Sequence, residues 1–405
     1  MTETEDMNLG IDELSKNYSM LKQLNSKRCA LLGHPASVNS DCIHTMDVLD
    51  SCSHIDLASA FGPQHGMKGD KQDNMIESDD YTDALFNIPV FSLYGNTRRP
   101  SKSMLDSFDV LIVDIQDIGT RIYTFITTLL YLLEACAEEN KKVYILDRPN
   151  PAGRPVEGTI LEKGWESFVG AAQIIMRHGL TIGELARYFV TCKNIDVDLN
   201  IISMSGYNPD AAPNFGWPKK LSWVNPSPNA SGLNMVRCYP GTVLFEATNI
   251  SEGRGTTTPL EIIGHPDIDF NLILKRMKSL APKWLTGCQI RQCWFEPTFD
   301  QFQTKLCSGI QIHTDNAAYN HNLFKPYRLA SCILKSIRIE YPDYEIWRDF
   351  QYEYESDRPV IDFISGGTFL REWVDDTESK PGDLESRLFK DENEWTETRK
   401  EFLAY

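Results

Sequence analysis

A series of short, nearly unbroken apolar runs at 28–33, 55–60, 90–93, 109–114 and 142–147 is the strongest constraint on how this chain can fold. A strand with one wet face alternates apolar and polar residues; a run without alternation is buried on both faces, as in a parallel sheet covered by helices. Between the last two runs, 123–139 has the length and apolar spacing of a helix with an acidic end. The simplest architecture is an α/β fold with an open, Rossmann-like sheet. From about residue 190 the rhythm changes: 208–229 is rich in Pro, Asn and Trp, and 327–340 reads as a long helix. A second α/β domain is expected there, with the chain divided into 1–200 and 201–405. No internal repeat stands out.

With 405 residues, the chain has room for two such units or for one large α/β domain with an elaborated second lobe. Its net charge of −17, with no concentrated Lys/Arg stripe against it, argues against nucleic acid as a partner. The acidity gathers at 2–6 and 375–401, which read as solvated faces. No apolar run has the length of a membrane span, and 1–20 lacks the basic and apolar regions of a secretory signal, so a cytoplasmic protein with no membrane partner is expected. The ten cysteines show no repeating spacing and are expected as reduced thiols. Oligomeric state is not readable from these patterns. A Gly-x-Gly-x-x-Gly turn, a Gly-Lys-Ser/Thr phosphate loop, a Gly-x-Ser-x-Gly elbow and a His/Glu metal spacing are all missing, so neither a cofactor nor a metal is expected.

Polar clusters follow the strand runs: Gln64-His65 in the first, Asp114, Asp117, Arg121 and Tyr123 in the second, Asp147, Arg148 and Asn150 in the third. Ligands of open α/β sheets bind outside those strand ends. An Asp–Arg pair there can orient a polar ligand or simply fix a loop. Thr181 and Glu184 form a capping box, a sufficient structural reason for Glu184, whereas His178 just before it is a candidate for the cleft. Asn229, in the proline-locked Asn225-Pro226-Ser227-Pro228-Asn229, can present a donor and an acceptor at a fixed place. The densest segment is 245–258, expected to follow a strand at 242–245. It holds Glu246, Asn249, Glu252 and Arg254 in about one loop. Two glutamates beside an arginine can keep one carboxyl protonated and the other ionised, as acid/base cleavage of a sugar acetal requires. The plainer reading is a surface turn with an ion pair.

Gly62-Pro63-Gln64-His65-Gly66, Ser92-Leu93-Tyr94-Gly95, Asp114-Ile115-Gln116-Asp117-Ile118-Gly119-Thr120-Arg121, Leu146-Asp147-Arg148-Pro149-Asn150-Pro151, Arg177-His178-Gly179, Pro226-Ser227-Pro228-Asn229 and Ser251-Glu252-Gly253-Arg254-Gly255-Thr256 occur in this order. Together they resemble the exo-β-N-acetylmuramidase family, long catalogued as a domain of unknown function (DUF1343). The resemblance implies a cleft between a Rossmann-like N-terminal domain and a smaller C-terminal one. It also implies removal of N-acetylmuramic acid from the non-reducing end of peptidoglycan fragments, with a muropeptide or amino-sugar substrate. On that basis Glu246 or Glu252 is the expected acid or base, Arg254 or Arg148 the partner of the sugar's lactyl carboxylate, and Gln64 and His65 contacts to the ring or to water. The family carries Glu where this chain has Gln64, and an amide is neither a useful acid nor a useful base. The alternative is therefore a muropeptide-binding protein that has lost the chemistry.

Overall fold

The computed structural model describes residues 7–72, 75–353, 355 and 357–405. Strands β1 (Arg28–Leu32), β2 (Asp56–Gly62), β3 (Tyr81–Thr82), β4 (Pro89–Ser92), β5 (Val110–Val113), β6 (Lys142–Leu146) and β9 (Asp198–Ile202) form a seven-stranded sheet in the order β3-β4-β2-β1-β5-β6-β9. All neighbours run parallel except the short edge strand β3, antiparallel to β4. The five expected strands are all present. Their unbroken hydrophobicity has the anticipated cause. Leu32, Leu111, Val113, Val143 and Ile145 face one buried cluster; Leu31, Val110, Ile112, Tyr144 and Leu146 face another. The connections reverse direction between β1 and β5, which opens the crevice where a ligand site belongs.

A hairpin of β7 (Glu157–Ile160) and β8 (Ile175–Arg177) leaves this sheet, and β10 (Ile262–His265), β11 (Gln289–Phe295) and β12 (Cys307–His313) make a separate antiparallel sheet. The expected helices appear as Phe125–Glu138 and Pro326–Glu340, and Ile182–Cys192 begins with the Thr181/Glu184 capping box. One face of the large sheet is continuous with the second half of the chain. The cluster holding Leu111 and Val143 also contains Phe245, Ile263, Ile310, Leu334 and Trp395.

Residues 242–245 are not a strand: helix Leu233–Thr242 runs straight into a 3-10 turn, Val243–Ala247. Val243, Leu244 and Phe245 are buried on every side, and for such a run periodicity cannot separate a strand from a buried helix. The acidic stretch 2–6 lies outside the described residues, and 375–401 is not simply a solvated face. Helix Pro381–Arg399 buries Leu384, Leu388 and Trp395, and its Glu385 and Glu392 both accept hydrogen bonds from Arg328. Among the described residues, no helix is long and apolar enough to cross a membrane.

Candidate active site

The tight turn after β2 places the first site residues. β2 ends at Gly62, where a Cβ would sit 2.5 Å from the Met67 nitrogen, so only glycine permits the chain to fold back this closely. The turn closes with Gly66 N–H donating to Pro63 O at 2.9 Å, and His65 is held at a φ of +70°. A non-glycine residue in that region costs on the order of 1–3 kcal/mol and persists where the surroundings enforce it. Here the His65 Nδ1 lies 2.7 Å from Lys71 O. Gln64 thereby points into a cavity of about 40 Å³, lined also by Tyr123, Thr124, Ser227, Tyr239, Glu246, Arg254, Tyr352 and Glu353.

Two carboxyl groups meet this cavity, each fixed by its own partners. Glu246, delivered by the 3-10 turn, is ion-paired with Arg254 and accepts a hydrogen bond from Tyr352 Oη at 2.7 Å. Glu353 accepts from Gln64 Nε2 at 2.9 Å and from Tyr94 Oη at 2.7 Å. Thr124 Oγ1 in turn donates to Gln64 Oε1 at 2.6 Å. Burial pushes the Glu353 carboxyl up to about 7, aided by the nearby Glu246 charge and opposed by the Tyr94 and Gln64 hydrogen bonds. Burial and then Glu246 also keep the Tyr239 and Tyr352 hydroxyls protonated far above their ordinary range.

Of the residues expected from sequence, Gln64, His65, Tyr123, Asn229, Glu246 and Arg254 converge on this cavity. Asn229 exchanges hydrogen bonds with Gln72, donating to its carbonyl at 3.0 Å and accepting from its side chain at 3.2 Å. Glu252 lies behind Arg254, whose Nε donates to it at 2.9 Å, and does not line the cavity. Burial raises its carboxyl above the ordinary range, with Arg254 opposing.

The others stand elsewhere, each occupied by the framework. Asp114 pairs with Arg148, 2.9 Å from Nη2, and accepts from the Thr45 hydroxyl, so Arg148 is not placed to receive a substrate carboxylate. Asp117 caps the backbone of Gly119 at 2.7 Å, with His178 Nε2 lying 3.2 Å away. Arg121 is a cross-brace, donating to the carbonyls of Thr159, Ile174 and Ile364. Asp147 collects donors from Gly183, Thr181 and Tyr405. Asn150 donates to Leu180 O and Asn249 to Glu345 O, both at 2.9 Å. These side chains share one cause: a loop between buried elements needs partners for its backbone groups, and Asp, Asn and Arg supply them.

Tyr352 and Glu353 were not anticipated, and Tyr94 stood in the Ser92-Leu93-Tyr94-Gly95 motif without an assigned role. The signal was present as Tyr352-Glu353-Tyr354-Glu355, an aromatic–acidic alternation in a segment with no helical or strand pattern to require it. No group of three or more His, Cys, Asp or Glu placed to hold a metal ion occurs among the described residues.

The chain resembles known proteins along nearly its whole length. Residues 29–234 match the N-terminal model of exo-β-N-acetylmuramidase NamZ, and 237–405 match the C-terminal one. It is 37% identical over 404 residues to a peptidoglycan β-N-acetylmuramidase NamZ of Bacillus subtilis (strain 168), covering 98% of this chain and 91% of that protein. A DUF1343 family protein from Bacteroides fragilis NCTC 9343 superposes with a TM-score of 0.81 at 27% identity, covering 98% of this chain and 99% of the other. A second protein of that family from the same organism gives a TM-score of 0.73 at 26% identity, with 99% of both chains covered. The chain belongs to the exo-β-N-acetylmuramidase NamZ family.

Proposed function

We propose that this protein is an exo-acting glycoside hydrolase that removes N-acetylmuramic acid from the non-reducing end of peptidoglycan fragments. The observation that carries the reading is the meeting of Glu246 and Glu353 on one buried cavity, in a chain similar throughout to a peptidoglycan β-N-acetylmuramidase. Cleaving a sugar acetal needs one carboxyl that can give a proton and another that supports the positive charge or activates water. The two carboxyls here have unlike surroundings, which pushes their roles apart. Arg254 holds Glu246 as an ion-paired carboxylate, and Tyr352 fixes its second oxygen. Because Arg254 already shares its charge between Glu246 and Glu252, its role in this reading is to hold the site rather than to bind the lactyl carboxylate. The cavity of about 40 Å³ takes water but not a pyranose, so the bound sugar displaces part of its wall. The ten free thiols suit a reducing compartment, which supports placing the activity in the cytoplasm.

The test is incubation of the purified protein with defined muropeptides, with products read by mass spectrometry. Free N-acetylmuramic acid is expected from the wild type, and Glu246→Gln should release it at least about 100-fold more slowly. Full activity in that variant overturns the assignment of Glu246. Saturable binding without product would instead identify a muropeptide-binding protein.

A further inference from the structure

Glu353 belongs to two spaces at once. It lines the inner cavity with Glu246 and Arg254, and it also lines an outer cleft of about 410 Å³ bounded by Arg98, Tyr131, Glu166, Phe168 and Glu355. A group that protonates a leaving oxygen must sit between the sugar being released and the remainder of the substrate, because the oxygen joins the two. Glu353 is the one cavity carboxyl among the described residues that occupies such a junction. Glu246 is tied to Arg254, Glu252 lies behind that arginine, and the amide of Gln64 has no proton to give as an acid.

We propose that Glu353 is the proton donor of this enzyme, with the inner cavity taking the terminal sugar and the outer cleft taking the leaving portion; the assignment rests on the hydrolase reading above. The Glu353 carboxyl gives its proton to the glycosidic oxygen while the bond from that oxygen to the anomeric carbon breaks, its electron pair staying on the oxygen. The rest of the fragment leaves as an alcohol. Water supplies the new oxygen on the anomeric carbon, its surplus proton passes to a base, and the Glu353 carboxylate regains a proton from solvent.

The surroundings of Glu353 suit a group that must cycle. A carboxylate opposite a second carboxylate would require a shared proton. Opposite Gln64 it can be charged, accepting from the amide nitrogen, or neutral, donating to the amide oxygen after a flip. The Thr124 hydroxyl on the far side of Gln64 can donate or accept and so follows either state.

Three proteins and two substrates test the proposal. The proteins are the wild type, Glu353→Gln and the exchange variant Gln64→Glu/Glu353→Gln. The substrates are a disaccharide muropeptide and an aryl N-acetylmuramide whose phenol leaves without protonation. Glu353→Gln should lose about 100- to 10,000-fold in kcat/KM on the muropeptide but no more than about tenfold on the aryl substrate. The exchange variant, which moves the carboxyl across the same 2.9 Å contact, should recover part of the muropeptide activity. Equal losses on both substrates would mean a structural role and overturn the proposal, as would full activity of Glu353→Gln. A wild type inert towards both substrates overturns the hydrolase reading, and the proton donor with it.

Should Glu353→Gln fail to fold, the wild type carries the test. Muropeptide kcat/KM should fall tenfold per pH unit above about 7, where the donor loses its proton, while the aryl substrate shows no such limb. Parallel profiles for the two substrates overturn the assignment.

Discussion

At the scale of single residues, the site separates carboxyl groups that look equivalent in the sequence. Glu246 and Glu252 flank the same arginine, yet one meets the cavity and the other stands behind it. Asp147 shows how a buried carboxyl can serve structure alone. Its oxygens accept from Gly183 N at 2.8 Å, Thr181 Oγ1 at 2.9 Å and Tyr405 Oη at 2.8 Å, yet burial still pushes it up to about 6 from an ordinary 3.8. The folded protein therefore holds this proton to higher pH than the unfolded chain. Stability from this group is complete below about 4 and is lost as pH rises through about 6, in total on the order of 3 kcal/mol. Asp147→Asn removes the titration and keeps the shape, and the Thr181 and Tyr405 hydroxyls can turn to accept from its amide. Denaturant unfolding of wild type and variant should show the variant gaining relative stability between pH 4 and pH 7; a pH-independent difference would rule out this linkage.

At the scale of elements, two helices meet at a glycine. Helix Leu233–Thr242 carries Gly241, where a Cβ would stand 1.9 Å from the Pro326 carbonyl oxygen at the start of helix Pro326–Glu340. No rotamer relieves a clash of Cβ with backbone, so the two helices must separate. Gly241→Ala should cost about 1–3 kcal/mol or more by the same denaturation measurement. Because the first helix leads directly into the turn bearing Glu246, activity should fall with it. The elements of the large sheet were legible beforehand, since burial on two faces imposes an unbroken apolar pattern. The 3-10 turn at Val243–Ala247 was not, because residues buried all round carry no period of either kind.

At the scale of the whole molecule, the two family domains share a core. One apolar cluster joins Leu111 and Val143 of the large sheet to Ile310, Leu334 and Trp395. Helix Pro381–Arg399 lies against the β7–β8 hairpin, and Arg328 ties Glu157 of β7 to Glu385 and Glu392. Tyr405 takes part as well, its Oη reaching Asp147 just after β6. Neither part can unfold without exposing the other's apolar surface, so calorimetry should show one transition with equal calorimetric and van't Hoff enthalpies. Two resolved transitions, or a fluorescence melt that precedes the calorimetric one, would contradict a shared core.

Local patterning was enough for the parallel sheet, the capped helix at Ile182–Cys192, and the polar strand ends from which Gln64, His65 and Tyr123 reach the site. These follow from short-range rules, in which burial on two faces, a cap or a tight turn each demands particular neighbours. Which polar residues serve the cavity and which serve the framework depends on contacts that form only when distant segments pack. Arg121 and Asp147 carry the same functional groups as Arg254 and Glu246, and only their packing partners separate them. Glu353 meets Gln64 across 289 positions of chain, a distance over which no local pattern speaks. Folding alone brings that carboxyl to the amide, and the burial that follows gives it a proton to donate.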